Sequence, residues 1–177
     1  MLLKRLGRKE KCFSVDKDRA KKPTLIMDLA SWWSFRGEVF DLILSTWVIE
    51  HLVNPQNFYS EAFRVLRDRG IMVCAVPFIQ RKHGSPHDYY RFTDMALLHL
   101  AHSTGFKHVE IRPVGDTPFI CCASLLWPFF YLPLVGWIVY FMAWILDILL
   151  EVFSSLLGKK GEVVHSFPIN YIIIAMK

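Results

Sequence analysis

Residues 40–77, FDLILSTWVIEHLVNPQNFYSEAFRVLRDRGIMVCAVP, hold two apolar runs separated by an amphipathic segment. The runs 40–45 and 71–76 predict strands, and the segment between them predicts a helix that Asn57 caps and Gly70 ends. The apolar face of that helix consists of Phe58, Ala62, Phe63 and Leu66. Two buried strands joined by a crossover helix form a βαβ unit, which requires a parallel sheet. Since ligands of such sheets bind at the carboxyl ends of the strands, residues 45–51 are expected at the functional edge.

Further elements are predicted on both sides of this unit. Residues 12–15 and 24–27 are short strands that end at the carboxylates Asp16 and Asp28. Thr93 is the expected N-cap of a helix over 94–104, and strands follow at 108–112 and 170–176. The pattern predicts one α/β domain over 1–177, with its core in 12–116 and 165–177.

Composition predicts a cytosolic location for this domain. The four cysteines form no CxxC pair, which favours reduced thiols, and the N-terminus lacks the apolar run of a secretory signal. Nine cations crowd the first 22 residues: Lys4, Arg5, Arg8, Lys9, Lys11, Lys17, Arg19, Lys21 and Lys22. An anionic membrane is the expected partner of this cluster, because the chain carries no nucleic-acid-binding motif. A merely solvated basic surface is the alternative.

An apolar insertion is predicted at 117–160. Residues 117–146 contain no charged side chain and carry Trp127, Trp137 and Trp144. About 20 apolar residues cross a bilayer once, so this segment is long for one crossing and short for two. If the final strand joins the same sheet as the others, the number of crossings is zero or two. Residues 134–157 predict a helix after the breaks at Pro128, Pro133 and Gly136, and its polar residues Asp147, Glu151, Ser154 and Ser155 share one face. This pattern favours a helix in the membrane interface or a re-entrant hairpin over two spans, a hydrophobic lid or an oligomer interface.

The positions of the strand-end acids alone favour ordinary turn residues over ligand-binding residues. Together with FDLILSTWVIEHL and RVLRDRGIMVCAVP, however, they make residues 12–112 resemble the class I S-adenosylmethionine-dependent methyltransferases, in particular the small type 11 methyltransferases, with NYIIIAMK as the final antiparallel strand. The resemblance implies a Rossmann-like, mostly parallel sheet and S-adenosylmethionine as the cofactor. It implies ribose binding by Asp16, and it implies cofactor contacts from Asp28, Leu29, Ser45, Thr46 and Trp47. Trp47 departs from the acidic or small residue expected there.

The loop HGSPHDYYRFT, residues 83–93, also looks like a motif of this subfamily, placed where the acceptor enters. It offers His87 as a general base, and the expected substrate-binding residues are His51, Asp88, Tyr89, Tyr90 and Arg91. The alternative is that His87, Asp88 and Arg91 form a clasp that holds the loop. No metal is expected, because the spacing of His83 and His87 suits a metal only on a helix, which Gly84 and Pro86 oppose.

The family's first strand and its glycine-rich turn are absent from this sequence, since no apolar strand precedes Gly7. We therefore expect an N-terminally truncated sheet, in which the second family strand pairs directly with the fourth or leaves exposed edges. The expected function is that of a membrane-associated methyltransferase at the inner face of the cell membrane. Its acceptor would be a small molecule, or a lipid-linked or surface-glycan precursor. The missing turn leaves two alternatives: an inactive truncated enzyme, or a non-catalytic membrane-bound relic or interaction module. A nicotinamide-dependent oxidoreductase has no positive support.

Overall fold

The computed structural model describes residues 12–84, 87–115, 117–126, 133–158 and 166–177. Two short strands are followed by a β-α-β-α-β series, and an insertion that contains helices precedes the last strand. The elements are β1 (Val15–Asp16), β2 (Leu25–Ile26), β3 (Phe40–Thr46), α1 (Pro55–Val65), β4 (Leu66–Pro77), α2 (Asp94–Ser103), β5 (His108–Val114), α3 (Pro118–Leu126), α4 (Pro133–Leu156) and β6 (Asn170–Met176). A short 3-10 turn, Ile49–His51, follows β3.

The main sheet has the order β3-β4-β6-β5. β3 and β4 are parallel neighbours, and β6 runs antiparallel to both β4 and β5. The predicted βαβ unit is therefore confirmed, and with it the α/β class with an antiparallel strand at the end of the chain. Buried side chains of α1, such as Phe58 and Ala62, join Met72 and Val76 of β4 in the core. Each fully buried large side chain stabilises the fold by about 1.5–3 kcal/mol.

β1 and β2 form a separate parallel pair, with Val15 opposite Leu25 and Asp16 opposite Ile26. Within the described residues, the outer edge of β3 has no strand partner. Its side chains Leu42 and Leu44 are 46% and 52% exposed. β1 and β3 correspond to the second and fourth strands of the family. They do not pair with each other, so the prediction of direct pairing is wrong and the predicted exposed edge is observed.

Two local predictions about α1 are wrong. Asn54 caps the helix by accepting a hydrogen bond from the Asn57 amide, whereas the Asn57 side chain donates to the carbonyls of Ala30 and Ser31. The helix ends at Val65 and passes directly into β4, so Gly70 does not end it. Gly70 instead lies where the β3–β4 register is irregular, and a Cβ there would approach the Arg67 carbonyl oxygen to 2.8 Å. Glycine is required by close contact with the backbone rather than by helix termination.

The insertion begins and ends at neighbouring points of the sheet, because Val114 of β5 pairs with Asn170 of β6. α4 confirms the predicted long helix, while Trp127 and Pro128 lie outside the described residues. The predicted polar face of α4 is divided: Asp147 and Ser154 are buried, and Glu151 and Ser155 are exposed. Asp147 accepts hydrogen bonds from the Thr117 hydroxyl and from the amides of Phe119 and Ile120. The carboxylate thus stabilises the beginning of α3, whose first amides have no helical partner.

Candidate active site at the carboxyl edge of the sheet

The carboxyl end of β3 carries three of the predicted cofactor residues. Ser45 is buried opposite Cys74 of β4, and Thr46 ends the strand with an exposed side chain. Trp47 follows with φ of 53°, in the left-handed region that is unfavourable for a bulky side chain, and it is 56% exposed. Its amide donates to the Ala75 carbonyl, which extends the β3–β4 ladder past the end of β3. The structure therefore places one strained backbone residue at the carboxyl edge of the sheet, where strain is often found in binding sites.

Asp16 and Asp28 both form local turns. Asp16 accepts a hydrogen bond from the Asp18 amide at 2.9 Å and pairs with Lys21 at 3.0 Å. The Asp18 amide, together with Lys21, outweighs the effect of burial and lowers the pKa of Asp16. Asp28 accepts from the Ala30 amide at 2.9 Å. These contacts match the turn alternative, and cofactor binding by the two acids stays a prediction.

Leu29 lies in the segment that follows Asp28 and packs against the core cluster. Its carbonyl accepts a hydrogen bond from the Trp33 indole at 3.3 Å. This segment is held against α1, because the Trp33 amide donates to Glu61 and the Arg64 guanidinium donates to the carbonyls of Trp33 and Phe35.

Backbone and side-chain bonds fasten the 83–93 loop to the turn after β3. The Tyr89 amide donates to the Glu50 carbonyl at 2.9 Å, and the Tyr90 hydroxyl donates to the Val53 carbonyl at 2.8 Å. His51 Nδ1 donates to the carbonyl of His87. The predicted acceptor loop and the carboxyl end of β3 therefore form one unit.

Inside this loop, Asp88 and Arg91 form a clasp. Arg91 Nη1 and Nη2 lie 2.6 and 2.7 Å from the two carboxylate oxygens of Asp88, which is 2% exposed and also accepts from the His83 amide. The Arg91 hydrogen bonds, supported by the His83 amide, hold the pKa of Asp88 well below its usual range. The other donors of Arg91 reach the carbonyls of Gln80, Arg81 and Tyr90. The guanidinium is thus fully engaged within the loop, as the clasp alternative describes.

The side chains of His87 and Tyr89 are exposed beside each other, with ring centroids 5.4 Å apart. His87 takes part in holding the loop through its backbone carbonyl rather than its imidazole. Its imidazole remains accessible at the edge. General-base and acceptor-binding roles for these residues stay predictions.

The structure brings together three residues that the sequence reasoning did not combine. Glu50 is fully buried, and His51 and His83 converge on its carboxylate: Nε2 of His51 lies 3.7 Å and Nε2 of His83 lies 3.6 Å from Oε1. Within the described residues, neither carboxyl oxygen of Glu50 has a hydrogen-bond partner. Burial raises the pKa of Glu50, and the nearby His51, His83 and Arg91 partly oppose this effect. No sequence signal links Glu50 to His83, because the contact is created by the docking of the loop.

Residues 9–74 match a family model described as a methyltransferase domain. A methyltransferase from Archaeoglobus fulgidus, described as SAM-dependent, superposes with a TM-score of 0.55 at 14% identity, covering 92% of this chain and 74% of that one. The chain has the class I S-adenosylmethionine-dependent methyltransferase fold. The resemblance inferred from the sequence is thereby confirmed, and S-adenosylmethionine is the cofactor class that it implies.

Two other solved structures share this fold. A SAM-dependent methyltransferase from Thermotoga maritima, described as a possible histamine N-methyltransferase, matches with a TM-score of 0.52 at 12% identity, over 89% of this chain and 66% of that one. The cyclase SpnF matches with a TM-score of 0.52 at 16% identity, over 86% of this chain and 54% of that one. The chain therefore spans about half to three quarters of the length of these neighbours. No curated protein matches the chain.

Proposed function

We propose that the chain is part of an S-adenosylmethionine-dependent methyltransferase that works at a membrane surface on a lipid-linked or surface-glycan acceptor. The observation that carries the enzymatic part is the strand order β3-β4-β6-β5 with a reversed β6, combined with the match of residues 9–74 to a methyltransferase domain. Asp16, Asp28, Leu29, Ser45, Thr46 and Trp47 would contact the cofactor. His87 would accept the proton of the acceptor, and the loop with Tyr89 and Tyr90 would shape its binding site.

Methyl transfer requires few groups. The acceptor oxygen or nitrogen attacks the methyl carbon, the bond from that carbon to the sulfonium sulfur breaks, and S-adenosylhomocysteine leaves. The protein mainly aligns donor and acceptor, which can account for a large share of the rate acceleration. A loop fastened to the strand edge by Tyr89, Tyr90 and His51 supports such alignment.

The enzymatic proposal is tested by transfer of a radiolabelled methyl group from S-adenosylmethionine. Membranes from cells that make the chain, with any polypeptide that precedes it in the same reading frame, supply both the protein and the acceptor. Label in the lipid-extractable fraction, absent from membranes that lack the chain and reduced by His87→Gln, supports the proposal. Equal labelling in the presence and absence of the chain would contradict it.

Membrane attachment is supported by the exposed surface of the insertion. Among the described residues, one helix, α4, is long and apolar enough to cross a membrane, and only 17% of its most apolar window is buried. Its exposed residues include Leu134, Trp137, Phe141, Leu149 and Leu156, which are 58–80% exposed. So large an apolar surface marks a membrane or protein contact. Because Val114 and Asn170 are adjacent, the insertion must return to the side from which it started. This favours an α3–α4 hairpin lying in the cytoplasmic leaflet.

Flotation with vesicles of phosphatidylethanolamine and phosphatidylglycerol tests the attachment. Replacement of Leu134, Trp137 and Phe141 by serine is expected to abolish co-flotation. The matched control is the pair Glu151→Gln and Ser155→Ala, which changes exposed polar positions of the same helix. Loss of flotation in the control, or its retention in the triple variant, would contradict the proposal.

A second candidate, a non-catalytic membrane-bound module, is favoured by one observation. The β1–β2 pair that carries Asp16 is separate from the sheet that carries Ser45 and Trp47. A cofactor that contacts Asp16 as well as Ser45 and Trp47 would have to bridge these two sheets. This candidate predicts vesicle binding without methyl transfer or cofactor binding.

A further inference from the structure

We propose that Glu50, His51 and His83 form a binding site for a divalent transition-metal ion of the Zn²⁺ class. This goes beyond methyl transfer and does not depend on it. The sequence argument against a metal considered His83 with His87, whereas the structure joins His83 to two residues of the turn after β3. The proposal rests on the proximity of these three side chains.

The three ligand atoms are spaced for one ion. Glu50 Oε1 lies 3.7 Å from His51 Nε2 and 3.6 Å from His83 Nε2, and all three atoms lie within 4.8 Å of one another. Zn²⁺ binds nitrogen and carboxylate oxygen at about 2.1 Å, so tetrahedral ligands stand about 3.4 Å apart. The observed separations exceed hydrogen-bonding distance yet fit around a shared ion with small movements.

The buried carboxylate is the second, independent observation. Glu50 is fully buried, and within the described part of the chain neither of its oxygens has a hydrogen-bond partner. A buried carboxylate without a partner is costly, and coordination of a cation removes that cost. The backbone of Glu50 is fixed by a hydrogen bond that the Tyr89 amide donates to its carbonyl oxygen.

The outer nitrogens of both histidines are positioned as in metal sites. His51 Nδ1 faces the His87 carbonyl, which can only accept a hydrogen bond, so the proton lies on Nδ1 and the lone pair on Nε2. His83 Nδ1 lies 3.3 Å from the Arg81 carbonyl, which favours the same tautomer. Arg91 Nη2 also lies 3.4 Å from this nitrogen, but its stronger bond, at 2.7 Å, is to Asp88.

The surrounding charges permit a cation. The positive side chain of Arg91 lies close by, and the Asp88 carboxylate neutralises it through two short bonds. Asp88 Oδ2 additionally lies 3.7 Å from His83 Nδ1, and outer carboxylates of this kind orient metal-binding histidines. His51 and His83 are 21% and 36% exposed, so the side of the site opposite Glu50 opens to solvent. Two histidines, one carboxylate and an open position are the ligand pattern of a reactive zinc or iron(II) site rather than a closed structural one.

Binding of Zn²⁺ and Co²⁺ to the full chain tests the proposal. Competition with a chromogenic chelator gives the Zn²⁺ affinity, and the visible absorption of bound Co²⁺ reports tetrahedral coordination by nitrogen and oxygen. We expect one ion per chain. His83→Gln and Glu50→Gln should each weaken binding at least about 100-fold, since even the loss of a group outside the coordination sphere costs about 10–100-fold. His99→Gln, at an exposed position of α2, is the matched control and should bind as the unaltered chain does.

His83→Gln guards against misfolding, because its side chain is partly exposed while that of Glu50 is not. A thermal melt accompanies each variant, and added Zn²⁺ should raise the melting temperature of the unaltered chain but not that of His83→Gln. Zn²⁺ affinity that is unchanged by both substitutions, or an unaltered chain that binds no Zn²⁺ at micromolar concentrations, would overturn the proposal.

Discussion

The ion pair between Glu61 and Arg64 is expected to hold residues 33–35, in the segment that follows Asp28 and Leu29, against α1. Arg64 Nη2 lies 2.6 Å from Glu61 Oε2, which also accepts the Trp33 amide at 2.9 Å. Arg64 further donates to the carbonyls of Trp33 and Phe35, each at 2.9 Å. Side-chain hydrogen bonds from Glu61 and Arg64, rather than backbone bonds of a helix or sheet, therefore attach the irregular segment around Trp33 to α1.

The cost of breaking the pair depends on which side chain is removed. Glu61 is 5% exposed and Arg64 is 25% exposed. Arg64→Ala leaves a buried carboxylate with one amide partner and also frees two carbonyls, so we expect a loss of about 3–4 kcal/mol in the free energy of unfolding. Glu61→Ala leaves a more exposed cation that keeps its two carbonyl partners, so the expected loss is about 2 kcal/mol.

Urea denaturation of the two single variants and the double variant in detergent gives the coupling free energy. We expect at least about 1.5 kcal/mol.

Burial acts to raise the pKa of Glu61, but the bonds from Arg64 and the Trp33 amide prevail and lower it. The stabilisation is therefore complete above the unfolded-state pKa, about 4.3, and is lost as the pH falls through the folded-state value. The stability difference between the unaltered chain and Glu61→Gln should shrink in the same acid range.

A coupling below about 0.5 kcal/mol would be that of an exposed surface pair and would refute this reasoning. Equal losses for Arg64→Ala and Glu61→Ala would refute the part that rests on burial.

Three further substitutions test local features. Gly70→Ala should cost about 1–3 kcal/mol, because its Cβ would lie 2.8 Å from a backbone oxygen, whereas Gly37→Ala, with its nearest contact at 3.4 Å, should cost little in the same denaturation assay. Asp88→Asn should lower the free energy of unfolding by about 2 kcal/mol and speed amide exchange at Tyr89, while Asp41→Asn, whose side chain is 80% exposed, should change neither. Trp47→Gly should leave stability unchanged or raise it by up to about 1 kcal/mol, because it relieves a positive φ at an exposed side chain, and a clear loss in thermal melts would contradict that.

Local patterns in the sequence predicted much of the fold. The βαβ unit follows from two apolar runs and an amphipathic segment, and the α2 cap at Thr93 follows from one side chain, which accepts the Ala96 amide as expected. The start of α1 was misplaced because Asn54 and Asn57 are equally good caps, and only the contact of Asn57 with Ala30 and Ser31 decides between them. Local propensity carries no such tertiary information.

The candidate site was harder to predict. A clasp that included Asp88 and Arg91 was one of two interpretations of their loop, and substrate binding was the other. The convergence of Glu50 with His83 was not, since it depends on where the loop lies after β4. Asp147 was also hard to predict for a tertiary reason. The sequence pattern of α4 places it on a polar face, but in the structure its carboxylate accepts hydrogen bonds from amides of α3.

The central proposal is that the carboxyl ends of the β1–β2 pair and of β3 together bind S-adenosylmethionine. Calorimetric titration with S-adenosylhomocysteine tests it most directly, using the chain in detergent together with any polypeptide that precedes it in frame. We predict saturable binding to one site, weakened at least about 10-fold by Asp16→Asn with Asp28→Asn and unchanged by Asp41→Asn at the opposite end of β3. Absence of binding, or binding that the double variant leaves unchanged, would contradict the account.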